Sequence, residues 1–413
     1  MKIWIINNYT VMPQYGALTR SYQFAKHLAE KGHEVTVFAG SHVHNTEIQL
    51  ITGKEKFRLE PDCPFPWVHI KTLTYGSSRK KQVLSMFQFC MNLRHAIKKM
   101  EKPDVIIGSS SHPLAAAMGL CLSRKYGCRG VAEIRDLWPE SIVVYDVAQK
   151  ANIAIKLLYC LEKWIYKKAD AIVFTMEGGR DYIVGKKWDT GNGGPVDLSK
   201  VYHINNGVDL EEFDDSRDVC VVPDEDLDNP ELFKVVYTGS IRKVNGVDKL
   251  VESAKCLQEY PNIRLLVFGA GTELEALKQS ARDHGLTNIV FKGVVPKKQI
   301  PSILCRSDLC LLHWNSTPII RYGMSMNKTF EYMAAGKPIL STNPTPYSVL
   351  KKYQCGIETE ENTPEEIAKG ILQVYRMPEE EYARYCKNAR TASEDFDFER
   401  LTERLIEAIT GGK

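Results

Sequence analysis

The chain has 413 residues, 44% of them hydrophobic, which is more than one core usually supports, so two globular domains of near-equal size are expected and long disorder is excluded. Its 54 basic and 51 acidic residues leave a net charge of +3, which makes no electrostatic case for nucleic acid as a partner. Eleven cysteines never fall into Cys-x-x-Cys spacing, which argues against a zinc site or disulfide framework and for a reducing cytoplasm.

Met1-Lys2 leads into an apolar run at residues 3–6 that reads as a strand, not a secretory leader. Residues 18–31 then place Leu18, Tyr22, Ala25 and Leu28 at helical spacing, and residues 33–38 read as a second strand. Gly16 lies between that first strand and helix, where a missing side chain lets the backbone approach a ligand at the carboxyl edge of the sheet; a plain turn fits equally well. Residues 79–99 mix Arg79, Lys80, Lys81, Arg94, Lys98 and Lys99 with bulky apolar side chains. The pattern suits a helix lying on an anionic membrane face, and equally one packed on the sheet with a solvated basic side. The longest apolar run, residues 113–122, is well short of the ~20 residues that span a bilayer, so any membrane contact is expected to be peripheral.

A strand at residues 104–107 precedes a serine-rich loop ending in His112, which beside Pro113 reads first as structural and second as a ligand contact. Residues 131–140 carry Glu133, Arg135, Asp136, Glu140 and Trp138-Pro139 directly after a strand; four charges there are poor core material and favour a loop facing a site. A helix over 157–168 with Tyr159 and Trp164 turned inward, a strand at 170–175, a flexible loop at 189–195 and a strand at 201–204 complete the first half. Residues 214–230, charged and proline-bearing, read as a linker.

The second half alternates strands (233–237, 263–268, 288–291, 309–313) with helices (246–260, 273–284, 298–307), which implies a parallel sheet with its ligand at the carboxyl edge. Thr238-Gly239-Ser240, Gly269-Ala270-Gly271 and Lys292-Gly293 all fall on that edge. Residues 322–340 then read as a loop, a short helix N-capped by Asn327 and stopped at Gly336, and a buried strand. Lys328 and Glu331, three apart, share a face of that helix near its free N–H groups. A cation, backbone donors and a carboxylate at one spot suit a nucleotide sugar, the diphosphate taking the lysine and helix end and the carboxylate accepting the ribose hydroxyls. A surface Lys-Glu pair is the plainer alternative. Residues 396–409 read as a final amphipathic helix.

These residues resemble the family 4 glycosyltransferases of the GT-B fold across essentially the whole chain. Asn205-Asn206-Gly207-Val208-Asp209 is similar to that family's interdomain signature, and the run from Phe330 to Ile339 to its donor-binding helix. The run from Glu133 to Glu140 resembles a narrower branch, the N-acetylfucosaminyl- and N-acetylhexosaminyl-transferase-like enzymes of bacterial O-antigen and capsule assembly. The resemblance implies an α/β chain with two Rossmann-like parallel-sheet domains facing across a cleft. Residues 1–208 would be the acceptor-side domain and 209–390 the nucleotide-sugar domain, with 209–231 as linker and 391–413 as a C-terminal helix packing back on the first.

It also implies retaining transfer, without metal or cofactor, of an N-acetylated or deoxy hexose from a UDP-linked nucleotide-sugar donor to a lipid-linked glycan acceptor, in the cytoplasm or on the inner face of the cell membrane, with residues 79–99 as the contact. By the same resemblance Glu331 holds the ribose, Lys328 the diphosphate, and the Lys292-Gly293-Val294 backbone the base, while Gly16, Gly239, Gly269 and Gly271 border the donor. Arg135, Asp136 and Lys328 carry the chemistry, and His112 and Glu140 face the acceptor. Fixed amides and cations stabilise the departing diphosphate, so no enzyme nucleophile is needed. The chain departs from the family at Gly323, where a second glutamate stands, and at Ser240 and Asn245, where Arg and Lys stand; Arg242, Lys243 or Arg321 could supply replacement charge. Two further readings stay open, a GT-B nucleotide-sugar epimerase and a catalytically silent binding subunit of a polysaccharide-assembly complex.

Overall fold

The computed structural model describes residues 1–76, 78–144 and 152–411, the side chain of Lys99 excepted. The chain divides into two compact units, one of Met1–Asn205 with Phe398–Lys413 and the other of Asn206–Asp397. The division falls a few residues from the boundaries expected at 208 and 391.

In the first unit eight described strands form one sheet: β1 (Lys2–Asn7), β2 (Glu34–Gly40), β3 (Phe57–Glu60), β4 (Trp67–Ile70), β5 (Val105–Ser109), β6 (Arg129–Ile134), β7 (Ala171–Phe174) and β8 (Val201–His203). Their order is β3-β4-β2-β1-β5-β6-β7-β8, parallel throughout except for β3 against β4. Strand alternation sorts β1 between two layers: Ile3 and Ile5 pack with Phe24, Leu28, Phe398 and Leu405, while Trp4 and Ile6 pack with Phe89, Leu93 and Ala115 on the other face. Chain order reverses between β1 and β5, and ligands of open α/β sheets bind at the carboxyl end of such a switch.

The second unit holds six described strands, β9 (Phe233–Thr238), β10 (Ile263–Phe268), β11 (Ile289–Gly293), β12 (Leu309–Leu312), β13 (Ile339–Ser341) and β14 (Gly356–Glu358), all parallel in the order β11-β10-β9-β12-β13-β14. The switch lies between β9 and β12, so the ends of those strands, Thr238 and Leu312, mark its ligand edge.

Three expectations are corrected. The segment read as linker contains the helix Leu210–Val219: the Asp209 carboxylate accepts from the Glu212 N–H (3.0 Å), Phe213 is buried, and Asp214 pairs with Arg390 (2.6 Å). The loop at 189–195 is a tight turn, with Asp189 buried and accepting from the Asn192 N–H (3.2 Å) and side-chain amide (2.7 Å). The tail helix begins at Phe398, because residues up to 393 extend the preceding helix Glu379–Ser393. The four-residue strands β3 and β4 and the three-residue β14 were not read from the sequence; runs that short barely establish a period.

Candidate active site

The glycine loops of the second unit lie edge to edge. The Gly239 N–H donates to the Phe268 carbonyl (2.9 Å), Ile241 to Ala270 (2.8 Å) and Gly269 to Gly293 (2.7 Å), so the turns after β9, β10 and β11 are stitched by backbone hydrogen bonds. A Cβ on Gly269 would overlap the Gly239 carbonyl oxygen, which is why the approach needs a residue without a side chain.

The helix Asn327–Ala334 is fixed against this platform. The Tyr332 hydroxyl meets the Thr238 N–H (3.2 Å) and hydroxyl (3.0 Å) at the end of β9. At the other end Arg390 donates to the Ala334 carbonyl (2.9 Å), a cation where the helix's carbonyls are left unsatisfied. Before the helix, Asn206 holds Ser325, its backbone N–H on the Ser325 hydroxyl (2.6 Å) and its amide on the Ser325 carbonyl (2.5 Å). Met326, not Asn327, occupies the N-cap position, and it offers no side-chain acceptor to the first N–H groups.

On this helix Lys328 is half-buried with its ammonium 4.4 Å above the Tyr237 ring, and a Cβ on Gly239 would lie only 2.8 Å from it. Burial pushes the Lys328 ammonium down to about 8, against the pull of Glu331. The two residues share a face but form no ion pair, and the half-buried Glu331 carboxylate has no hydrogen-bond or ion-pair partner among the described residues. The surface Lys-Glu pair is therefore not what the fold builds. Nearby, His313 is buried and held neutral, pushed down to about 4 mainly by burial, with its ring between the Gly246 carbonyl (2.7 Å) and the Thr342 hydroxyl (2.8 Å). Sequence reasoning passed over Tyr237, Tyr332 and His313; their only signal is a polar or aromatic residue at the end of a parallel strand or inside the donor-type helix.

Of the other residues read from the sequence, Arg242 is exposed, and Arg321 is exposed with its guanidinium 4.8 Å over the Tyr322 ring. The Lys292 ammonium is tied to Asp224 (2.8 Å) and Asp226 (2.6 Å), which leaves only its backbone and Gly293 toward the platform. Those aspartates thus have a structural partner. The Ser240 hydroxyl donates to the Asn245 side-chain carbonyl (2.8 Å), so the two departures from the family pattern close on each other. Gly323 adopts φ +83°, a conformation that disfavours the glutamate the family has there.

In the first unit, Gly16 is exposed after the turn Pro13–Tyr15. Two of the four charges read as facing a site are interior. Glu133 takes the Arg20 guanidinium (2.8 Å) in a buried pair, and Arg20 also donates to the carbonyls of Ile204 (2.9 Å) and Asn205. Burial works to raise the Glu133 carboxyl, yet Arg20 and Arg135 hold it below the ordinary value. Glu140, read as facing the acceptor, is buried under the Tyr159 hydroxyl (2.6 Å) and the Lys186 ammonium (2.5 Å). Arg135 is half-buried and Asp136 reaches solvent, its carboxyl raised by the protein crowded around it. His112 is enclosed: both ring nitrogens are buried without a partner, Tyr9 packs on its edge at 5.4 Å, and burial pushes it down to about 3.

Residues 16–212 match the family model described as glycosyltransferase family 4, and residues 224–392 match glycosyl transferases group 1. The relative described as "Probable glycosyltransferase WbjE" of Pseudomonas aeruginosa is 24% identical over 295 residues, 68% of this chain and 69% of that protein. The relative described as "Putative colanic acid biosynthesis glycosyl transferase WcaI" of Escherichia coli K12 is 23% identical over 292 residues, 69% of this chain and 70% of that protein. Among solved structures, Anabaena HepE in complex with UDP-glucose is similar with a TM-score of 0.66 and 16% identity, over 100% of both chains. With a parallel-sheet unit under each family match, the chain has the GT-B fold and belongs to the family 4 glycosyltransferases.

Proposed function

We propose that this glycosyltransferase moves an N-acetylated or deoxy hexose from a UDP-linked donor to a lipid-linked glycan in the assembly of a bacterial surface polysaccharide, with retention and without a metal. The observation that carries the donor half is the Lys328/Glu331 face, a half-buried cation and carboxylate left without ion-pair partners beside three stitched backbone loops. Such an arrangement fits a diphosphate at the ammonium and helix end and vicinal hydroxyls at the carboxylate. As the bond from the anomeric carbon to the phosphate oxygen breaks, the departing diphosphate gains charge next to Lys328. The acceptor oxygen then bonds the anomeric carbon from the same face, and its proton passes to the leaving phosphate. Pre-set amides and one cation stabilise that charge without reorganisation.

The UDP-glucose bound by HepE and the colanic acid named for WcaI support the donor and product classes. A lipid-linked acceptor would hold the enzyme on the inner face of the cell membrane, with residues 79–99 in contact. Thermal unfolding with a panel of nucleotide sugars tests the donor: a UDP-sugar at 100 times its Kd adds about 2.7 kcal/mol of stability. At the same concentration Glu331→Ala should cut that gain to about half or less. A thermal shift with no transfer to any acceptor would favour the silent binding subunit, and release of free epimerised nucleotide sugar without acceptor would favour the epimerase.

A further inference from the structure

Between Asp62 and Glu101 the chain has no acidic residue, yet it carries Lys71, Arg79, Lys80, Lys81, Arg94, Lys98 and Lys99, in a protein whose charges otherwise nearly cancel. Most of this stretch is the helix Arg79–Ala96. Its inner face is ordinary core: Met86, Phe89, Leu93 and Ala96 are buried. Its outer face is not an ordinary surface, because Val83, Leu84, Phe87 and Met91 are 49%, 57%, 53% and 65% exposed and form one stripe at helical spacing. Exposed Arg79, Lys80 and Lys81 stand at one end of the stripe and exposed Arg94 and Lys98 at the other.

The helix Pro113–Tyr126 lies between this helix and Ile153–Lys168, whose first turns expose Ile153 (75%) and Leu157 (65%) beside exposed Lys156. All three start at the carboxyl edge of a parallel sheet and run back along the same face, so the exposed apolar side chains of both outer helices gather toward the edge that carries Asn7, Gly16 and Asp136. Among the described residues no helix is long and apolar enough to cross a bilayer.

We propose that these two helices seat the first unit on an anionic phospholipid surface, with the apolar stripe in the interface, the basic ends against head groups and the carboxyl edge opening beside the membrane surface. This deepens the reading of a lipid-linked acceptor and rests on it, since an acceptor anchored in that surface reaches the same edge. Charge selects the occupant: a second copy meeting the face across a two-fold axis would bring the two basic clusters together.

The test is co-sedimentation of the full chain with phosphatidylcholine vesicles and with vesicles containing phosphatidylglycerol. Binding is expected only to the anionic vesicles and should fall with salt. Arg79→Glu, Lys80→Glu and Lys81→Glu together should weaken it by about 100-fold or more, taking roughly fivefold for each cation removed. Leu84→Ser, Phe87→Ser and Met91→Ser should weaken it at all salt concentrations, and Ile153→Ser with Leu157→Ser by less. Each variant should keep its nucleotide-sugar thermal shift and its transfer to a short water-soluble acceptor. Vesicle binding that is absent, or unaltered by these changes, overturns the proposal while leaving the transferase reading intact. Self-association of the wild type that the serine variant abolishes would assign the face to a second copy and also overturn it. Vesicle binding as described, with no transfer to any acceptor, would instead sink the acceptor reading and keep the membrane surface.

Discussion

Each unit offers one charged segment to its ligand edge, and the fold treats the two in opposite ways. In the first, Arg20 draws Glu133 into the interior and Lys186 draws in Glu140, so only Arg135 and Asp136 stay near the surface. In the second, the ion pair that Lys328 and Glu331 could make with each other is absent, and the lysine lies over an aromatic ring. A carboxylate follows whatever cation the fold supplies within reach; where none is supplied, a half-buried charge is retained at a cost that a ligand can offset. The same sequence feature, acid and base in a short polar run, therefore builds scaffold in one place and leaves a cation and a carboxylate without an ion pair in the other.

The largest effect expected from this contrast is structural. Arg20→Met leaves Glu133 buried without its cation and should lower unfolding stability by about 3–5 kcal/mol, measured by urea denaturation, whereas Arg20→Met with Glu133→Leu should recover most of it. Equal loss in both variants would mean the pair is not the anchor described. Glu331→Ala should do the reverse, keeping stability and weakening donor binding about 10- to 100-fold by calorimetry, the equivalent of one lost charged hydrogen-bonding group. Asp136→Asn should likewise leave the melting temperature in place while reducing transfer, with unchanged donor affinity; a fall in melting temperature would place Asp136 with Glu133 on the scaffold side.

A pH series sharpens the comparison further. The Lys328 ammonium, depressed to about 8, is charged below that pH and neutral above it, so donor affinity should decline as pH rises through about 8 to 9. Linkage runs the other way for the free protein. Between the folded value near 8 and the unfolded value of 10.5 the unfolded chain binds more protons at this residue, so its contribution to stability rises with pH. Affinity flat across this range would mean that the ammonium does not meet the donor. The smallest effect is expected at the Ser240–Asn245 contact: Ser240→Ala removes one exposed neutral hydrogen bond and should change donor affinity by less than about tenfold.

Much of this was legible in the sequence because it rests on local pattern. The alternating strands and helices of the second unit, the glycines after β9, β10 and β11, and the Lys328/Glu331 spacing all depend on neighbours within a turn or two. Partners brought from afar were not legible. Arg20 is 113 residues from Glu133, Lys186 is 46 from Glu140, and Lys292 is 68 from Asp224. Nothing local distinguishes a glutamate awaiting such a partner from one awaiting a substrate. The helix Leu210–Val219 was missed for a related reason: its charges suggested a solvated linker, while the Asp209 cap and the buried Phe213 that define it show only when packed.

The terminal helix Phe398–Thr410 has a consequence for how the molecule is made. Its Phe398 ring meets Phe24 edge-on at 5.4 Å, and Leu401, Leu405, Ala408 and Ile409 close one side of the sheet that Met1–Asn205 begins. During synthesis the half translated first must therefore wait, with an apolar seam uncovered, until the helix Phe398–Thr410 leaves the ribosome, while the half translated second is complete at Asp397. The order of birth and the order of completion are reversed, and a nascent chain stalled just before Phe398 would hold a finished second unit and an open first one.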